Sequence, residues 1–327
     1  MKILFSADWH IRLGQKNVPR DFQVSRFNML VEELNSIYRK HNCDLHIIGG
    51  DILDRFAPSA EEIELYYELI AKLEHTTQVF CGNHELINKK KSVLDTMKAE
   101  TQRCNPKVEI VDSLRTEEYD IIDFKELHNK KWTPAESKLC FTHVRGAIPP
   151  HVLPEVDLDL FKAYTLVVTG DLHSHQCTQE SAGGIPFIYP GSPLSTSFSR
   201  GERSVGAHGV LIVDTETLTY EHVCLEKLPQ LLRKTIEAGE EMVADTYDRV
   251  IYEVTGDLED LKGVEDSDLL DKRIHKNVGT EATLELGSNL KISEELQMYL
   301  SEVERLDSDK VQAALSAFKG LVNEDSY

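Results

Sequence analysis

Five short apolar runs each end in residues that bind metals or phosphates, and this recurrence restricts the possible folds more than any other feature. Lys2 to Ala7 leads into Asp8-Trp9-His10, and Asp44 to Ile48 into Gly49-Gly50-Asp51. Val79-Phe80-Cys81 leads into Gly82-Asn83-His84-Glu85, Lys138 to Phe141 into Thr142-His143, and Thr165 to Thr169 into Gly170-Asp171-Leu172-His173-Ser174-His175. A short apolar, β-branched run bounded by turn residues reads as a buried strand. In open α/β sheets the carboxyl ends of such strands are where ligands bind. Any one of the five is an ordinary capped turn or a satisfied structural histidine; five in order, each after a strand, are not.

The segments between the runs supply helices. Phe27, Leu30, Val31, Leu34 and Tyr38 recur at helical spacing. Ser59 with Glu62 three residues on is a capping-box signature, opening a helix with Ile63, Tyr66, Tyr67, Ile70 and Leu73 on its apolar side. Strand–helix–strand alternation over the first 85 residues predicts βαβ units and a mostly parallel sheet. A Lys-rich turn (Lys89 to Lys91) and another helix follow. Lys107 to Val111, Tyr119 to Phe124 and Pro186 to Tyr189 read as further strands, with Lys125 to Ser137 a polar loop. Val210 to Val213 and Leu218 to Cys224 form a hairpin.

Past Glu226 the pattern predicts a helix over Leu228 to Val243, a strand over Arg249 to Val254 and a helix over Leu258 to Val264. These form a small α+β domain ending near Gly287. Two amphipathic helices close the chain. The first has Ile292, Leu296, Tyr299, Leu300, Val303 and Leu306 on one face and Ser293 as N-cap; the second begins at Ser308. The expected division is 1–226, 227–287 and 288–327.

The 327 residues carry a net charge of −20 and a pI of about 5.1, which argues against a stand-alone nucleic-acid binder. A local basic surface, carboxylates masked by metals or a basic partner would lift that objection. Six scattered cysteines without a CxxC pair fit free thiols in a reducing cytoplasm. The N-terminus enters a strand directly and no apolar run is long enough to span a bilayer, so a cytoplasmic protein with no membrane partner is expected.

Carboxylate, amide and imidazole donors at the strand ends suit a pair of divalent ions such as Mn²⁺, Fe²⁺ or Zn²⁺. Two adjacent ions need a shared ligand, and Asp51 is the natural bridge. Such sites activate a water and clamp phosphoryl oxygens. His75, His128, His151, His208, His222 and His275 follow no strand-end pattern and are read as surface or structural residues.

The set DxH, GD, GNH(D/E), H and GHxH resembles the calcineurin-like metallophosphoesterase superfamily over roughly residues 1–225. The resemblance implies a two-sheet α/β sandwich flanked by helices. It implies that Asp8 and His10 hold the first metal, Asp51 bridges, and Asn83 and His143 hold the second. His84 would touch the scissile phosphate and not a metal. The last motif has Asp171 where the family has histidine; aspartate is a competent hard ligand, so Asp171 and His173 are assigned as metal ligands, and the competing register uses His173 and His175. Glu85 either orients His84 or merely solvates its loop.

Tyr189-Pro190-Gly191-Ser192-Pro193 looks like the YxGSP segment of SbcD-type nucleases. The small domain resembles their DNA-contacting cap, and the tail helices the segment that docks on a coiled-coil SbcC-type ATPase. The short core is most similar to the recombination endonuclease subunits of tailed bacteriophages. This likeness implies a homodimeric, Mn²⁺-dependent DNA nuclease, with Mg²⁺, Fe²⁺ or Zn²⁺ as alternative ions. It would hydrolyse phosphodiesters by a metal-bound hydroxide in the cytoplasm, the host's if the source is viral. Ser192, Lys89, Lys90 and Arg12 would contact DNA. The rivals are a phosphatase or small-molecule phosphodiesterase of the same fold, and a non-catalytic assembly subunit.

Overall fold

The computed structural model describes residues 1–128, 135–256, 258–271, 292–304 and 306–321. Two six-stranded sheets dominate. The first has the order Thr219–Cys224, Gly209–Asp214, Lys2–Ser6, Leu45–Gly49, Thr77–Phe80, Val108–Ile110. Its last four strands are parallel, and the hairpin Gly209–Asp214/Thr219–Cys224 adds antiparallel beside Lys2–Ser6. The second has the order Gln179–Glu180, Pro186–Ile188, Leu166–Gly170, Leu139–His143, Asp120–Ile122, Leu114–Arg115, parallel through its four central strands.

Strand alternation explains the layering. Ile3, Phe5, Ile47 and Phe80 of the first sheet face Ile121, Phe141 and Val168 of the second, and together they form an inner core. Phe5 stacks on Phe141 with ring centroids 5.4 Å apart. Leu4, Ile48 and Val79 point the other way, into a second core shared with the helices. Both faces of these parallel strands are therefore buried, which is why they read as continuous apolar runs.

Three helices cover the first sheet. α1 (Arg20–His41) buries Phe27, Leu30, Val31 and Leu34 and ends on Asn42 in the left-handed region. α2 (Ala60–Ala71) starts at the predicted capping box: Ser59 accepts from the Glu62 amide and Glu62 accepts from the Ser59 amide. α3 (Val93–Cys104) has a second box, made by Ser92 and Asp95. The connection after the second-sheet strand Asp120–Ile122 contains a short helix, Phe124–Leu127, which takes in the end of the expected strand and the start of the expected loop; residues 129–134 lie outside the described residues.

The helix expected over Leu228 to Val243 is instead a strand, Leu231–Glu237. It sits between Ser199–Arg200 and Arg249–Thr255 in a three-stranded sheet. Leu232 packs there on Val250 and Tyr252. Burial against those side chains and pairing with Ser199 and Arg200 override a local pattern that is equally compatible with a helix.

By compactness the chain divides into Met1–Val254 with Glu265–Ile274, and Thr255–Val264 with His275–Tyr327. In the second unit helix Ile292–Met298, which already includes Ser293, is followed by wider turns over Tyr299–Val303 and by helix Ser308–Leu321. Val311 and Leu315 are buried there. The expected boundary near Gly287 lies outside the described residues. No helix among the described residues is long and apolar enough to cross a membrane.

Candidate metal centre

The carboxyl ends of strands from both sheets converge on one edge. The loops that leave them are stitched together: the Asp8 amide donates to Gly50 O (3.1 Å) and the His10 amide to Asp51 O (2.9 Å). Among the described residues, seven non-glycine residues have positive φ, and four of them are Asp8, His10, Asp51 and Asp171. Such backbone costs on the order of 1–3 kcal/mol per residue and clusters where function demands a side-chain direction. Two glycines let the loops approach. Gly50 has φ +87° and a Cβ there would lie 2.6 Å from His143 Nδ1; a Cβ on Gly82 would lie 2.2 Å from Asp51 Oδ1.

The predicted ligands gather into two overlapping groups. In the first, His10 Nε2 and His173 Nε2 face each other at 3.0 Å, with Asp8 Oδ1 at 4.0 and 3.9 Å from them. In the second, His143 Nε2 lies 2.9 Å from Asn83 Oδ1, 3.3 Å from Asp51 Oδ2 and 3.8 Å from Asp171 Oδ1. Asp51 Oδ2 is also 3.8 Å from His10 Nε2 and 3.9 Å from His84 Nε2. Asp51 thus stands between the groups.

The far ring nitrogens of His143, His173 and His84 are occupied, which aims the near ones inward. His143 Nδ1 lies 2.9 Å from Gly49 O, and His173 Nδ1 2.9 Å from Thr196 Oγ1. His84 Nδ1 lies 2.6 Å from Asp54 O.

Electrostatics fit cations. Asp8 is buried, and desolvation lifts its carboxyl to about 7 against the pull of His143 and His10. Burial also acts to raise Asp51, but the neighbouring His143, His10 and His84 outweigh it and hold that carboxyl low. Burial, reinforced by Asp51, raises Asp171 against His143 and Arg145. Three sets of donor atoms lie mutually within 4.8 Å, namely Asp8, His10 and His173; His10, Asp51 and His84; and Asp8, Asp51 and His143, and such carboxylate–imidazole sets suit divalent ions.

His175 lies apart from this cluster. Its Nδ1 is 2.6 Å from Tyr189 O, and its ring stacks on His222 at 3.7 Å. Ser192 is a correction. It is fully buried, its amide donates to His173 O (3.1 Å), and its hydroxyl faces His208, so it is not open to substrate. Arg12 pairs with Asp54 at 3.4 Å, whereas Lys89 and Lys90 stand exposed on the turn between Leu86–Asn88 and Lys91–Ser92. Of the histidines grouped as surface or structural, His75 is buried and His208 half-buried.

Other residues of the centre escaped the sequence reading. Asp54 lies 3.4 Å from His10 Nδ1 through its carboxylate, while its carbonyl meets His84. Its position three residues after Asp51 was a usable signal. Glu85 neither orients His84 nor meets solvent. Fully buried, it accepts from the amides of Asp51 (3.1 Å), Leu53 (2.9 Å) and Gly82 (2.8 Å), fastening two ligand loops. Arg145, two residues past His143, is the cation near Asp171 and Glu155.

The sequence is similar to known proteins. The calcineurin-like phosphoesterase model matches residues 1–145. The chain is 50% identical over 318 residues to the probable exonuclease subunit 1 of Escherichia phage T5, covering 97% of each. The chain belongs to the calcineurin-like phosphoesterase family. It is also 33% identical over 89 residues, 26% of this chain and 22% of the relative, to the SbcD component of the SbcCD nuclease of Bacillus subtilis. A solved archaeal phosphodiesterase aligns over 68% of this chain and 99% of its own, at 15% identity and TM-score 0.39. The two-sheet sandwich is this family's fold, and the chain is a metal-dependent phosphoester hydrolase.

Proposed function

We propose that this chain is a two-metal DNA nuclease, the catalytic subunit of an SbcC–SbcD-like pair that processes DNA ends. The observation that carries the reading is the position of Asp51 between the two donor groups, 3.8 Å from His10 Nε2 and 3.3 Å from His143 Nε2. In this reading Asp8, His10 and His173 hold the first ion, Asn83, His143 and Asp171 the second, and Asp51 bridges. The placement of Asp171 beside His143, with His175 turned away, supports that register. The second ion then has three oxygen donors and one nitrogen, a hard set that suits Mn²⁺ or Mg²⁺. When bound, the ions supply a nucleophile at neutral pH and neutralise phosphoryl charge.

The protein's own groups do the rest. Asp54 O fixes the His84 ring so that Nε2 faces the open side of the cluster, and the side chain remains 39% exposed. From there Nε2 donates to a phosphoryl oxygen and delivers a proton to the leaving 3′ oxygen. Lys89, Lys90, Arg12 and Arg145 supply local positive charge to a chain that is acidic overall. The names of the phage and Bacillus relatives favour DNA and a partner subunit. The organisation we adopt is a nuclease domain over 1–226, a DNA-contacting domain over 227–287 and docking helices over 288–327. A homodimer with two coiled-coil ATPase subunits in the cytoplasm, the host's for a viral chain, completes the reading.

The test is cleavage of end-labelled duplex and single-stranded DNA with Mn²⁺ or Mg²⁺, alone and with the ATPase, beside a phosphomonoester and a cyclic nucleotide. DNA cleavage is expected. Turnover of the small esters with none of DNA would assign the site to a phosphatase or small-molecule phosphodiesterase instead.

A further inference from the structure

The segment after the Gly-Ser-Pro turn is tied to the metal centre on one side and to the three-stranded sheet on the other. Thr196 Oγ1 lies 2.9 Å from His173 Nδ1, the nitrogen remote from the cluster. With Nδ1–H donating to that hydroxyl, the Nε2 lone pair points toward His10 and Asp8. Three residues later Ser199 and Arg200 pair with Leu232 and Arg233.

The intervening residues are held unusually firmly for a loop. Ser195 is buried, and its hydroxyl accepts from the Leu231 amide at 2.9 Å. Its carbonyl accepts from Arg26 Nη2 at 2.8 Å. Arg26 is 1% exposed; the carboxylate acting on it, Asp248, is itself paired with Arg203, and the hydrogen bonds of Arg26 go to neutral acceptors. A guanidinium buried on neutral acceptors costs stability, and here its bonds are spent on this loop. Arg26 Nη1 also donates to Gln23 Oε1 (3.1 Å), Gln23 Nε2 to Gln15 Oε1 (3.0 Å), and Gln15 Nε2 to Thr196 O (3.0 Å). A ring of side chains therefore grips Ser195 and Thr196 from α1 and from the loop after His10.

We propose that Thr196 is the positioning residue for His173, and that Ser195, pinned by Arg26 and by the Leu231 amide, sets where Thr196 stands. The three-stranded sheet is thereby coupled to the first metal position. This rests on the reading of His173 as a ligand of the first ion. A hydrogen-bonded partner on the remote nitrogen of a metal-binding histidine typically changes metal affinity by roughly 10- to 100-fold.

The test is Mn²⁺ binding to the full chain by calorimetry, with wild type, His173→Ala, Thr196→Val, Thr196→Ser and Ser195→Ala. Wild type binds two ions and His173→Ala weakens one of them. Thr196→Val, which keeps the shape and loses the hydroxyl, weakens the same ion by roughly 10- to 100-fold. Thr196→Ser binds like wild type. Ser195→Ala weakens that ion too, with faster amide exchange across residues 195–200. Two wild-type affinities in Thr196→Val would overturn the positioning role while leaving the metal reading intact. No Mn²⁺ on wild type, or no effect of His173→Ala, would sink the metal reading and the proposal with it.

Discussion

Acid should destabilise this protein through a pair of histidines lying beneath the metal centre. His46 and His75 are buried, with ring centroids 5.0 Å apart. His75 stacks on Tyr38 at 4.1 Å, and His46 Nε2 lies 2.9 Å from Ser6 Oγ, which accepts from Trp9 next to Asp8. Burial, with the positive charges of Lys107 and Arg39, holds His75 down from 6.5 to about 4. Burial and His75 hold His46 well below its ordinary value. A folded pKa below the unfolded one means that the unfolded chain takes the proton first. The stability is therefore complete above pH 6.5 and is lost as pH falls toward 4. At pH 5, His75 alone contributes a loss of about 2 kcal/mol, from one-site linkage between those two values. The assay is urea unfolding at pH 8 and pH 5 for wild type and His75→Gln, both with chelator so that metal release makes no contribution. Wild type should lose about 2 kcal/mol more than the variant between the two conditions. Equal losses would refute the reasoning.

Four substitutions probe the centre. Gly82→Ala places a methyl 2.2 Å from Asp51 Oδ1, and such overpacking costs about 1–3 kcal/mol; lowered Tm together with weakened binding of both ions is the expected outcome. Asp54→Asn removes the carboxylate beside His10 and should weaken the first ion by roughly 10- to 100-fold with the fold retained, read by equilibrium dialysis. Asp171→Ala should empty the second site while His175→Ala leaves both filled, by metal analysis of the purified proteins; the reverse pattern would restore the competing register.

Much of the candidate centre was legible because its donor groups lie at strand ends. Asp8, Asp51, His143 and Asp171 needed only an apolar run and a turn to be singled out as candidates. The choice of Asp171 over His175 was not decidable from spacing, because both follow the strand Leu166–Gly170 and only the loop path separates them. Glu85 and Ser192 were misjudged for one reason. A polar residue in a loop motif reads as exposed, and burial beneath a neighbouring loop is a tertiary property. Thr196 and Arg26 carry no motif at all; they matter through partners 23 and 169 residues away in sequence. The strand Leu231–Glu237 was read as a helix because one of its partners, Ser199–Arg200, is only two residues long and is separated from it in the chain by the hairpin Gly209–Asp214/Thr219–Cys224.

The central claim is that Asp8, His10, Asp51, Asn83, His143, Asp171 and His173 hold two ions while His84, beside Asp51, handles the phosphate. The measurement that tests it most directly compares wild type and His84→Ala for bound Mn²⁺ and for cleavage of end-labelled duplex DNA. The account predicts two ions on both proteins, with cleavage by wild type and none by the variant. Cleavage by His84→Ala at the wild-type rate, or loss of an ion in that variant, would contradict it.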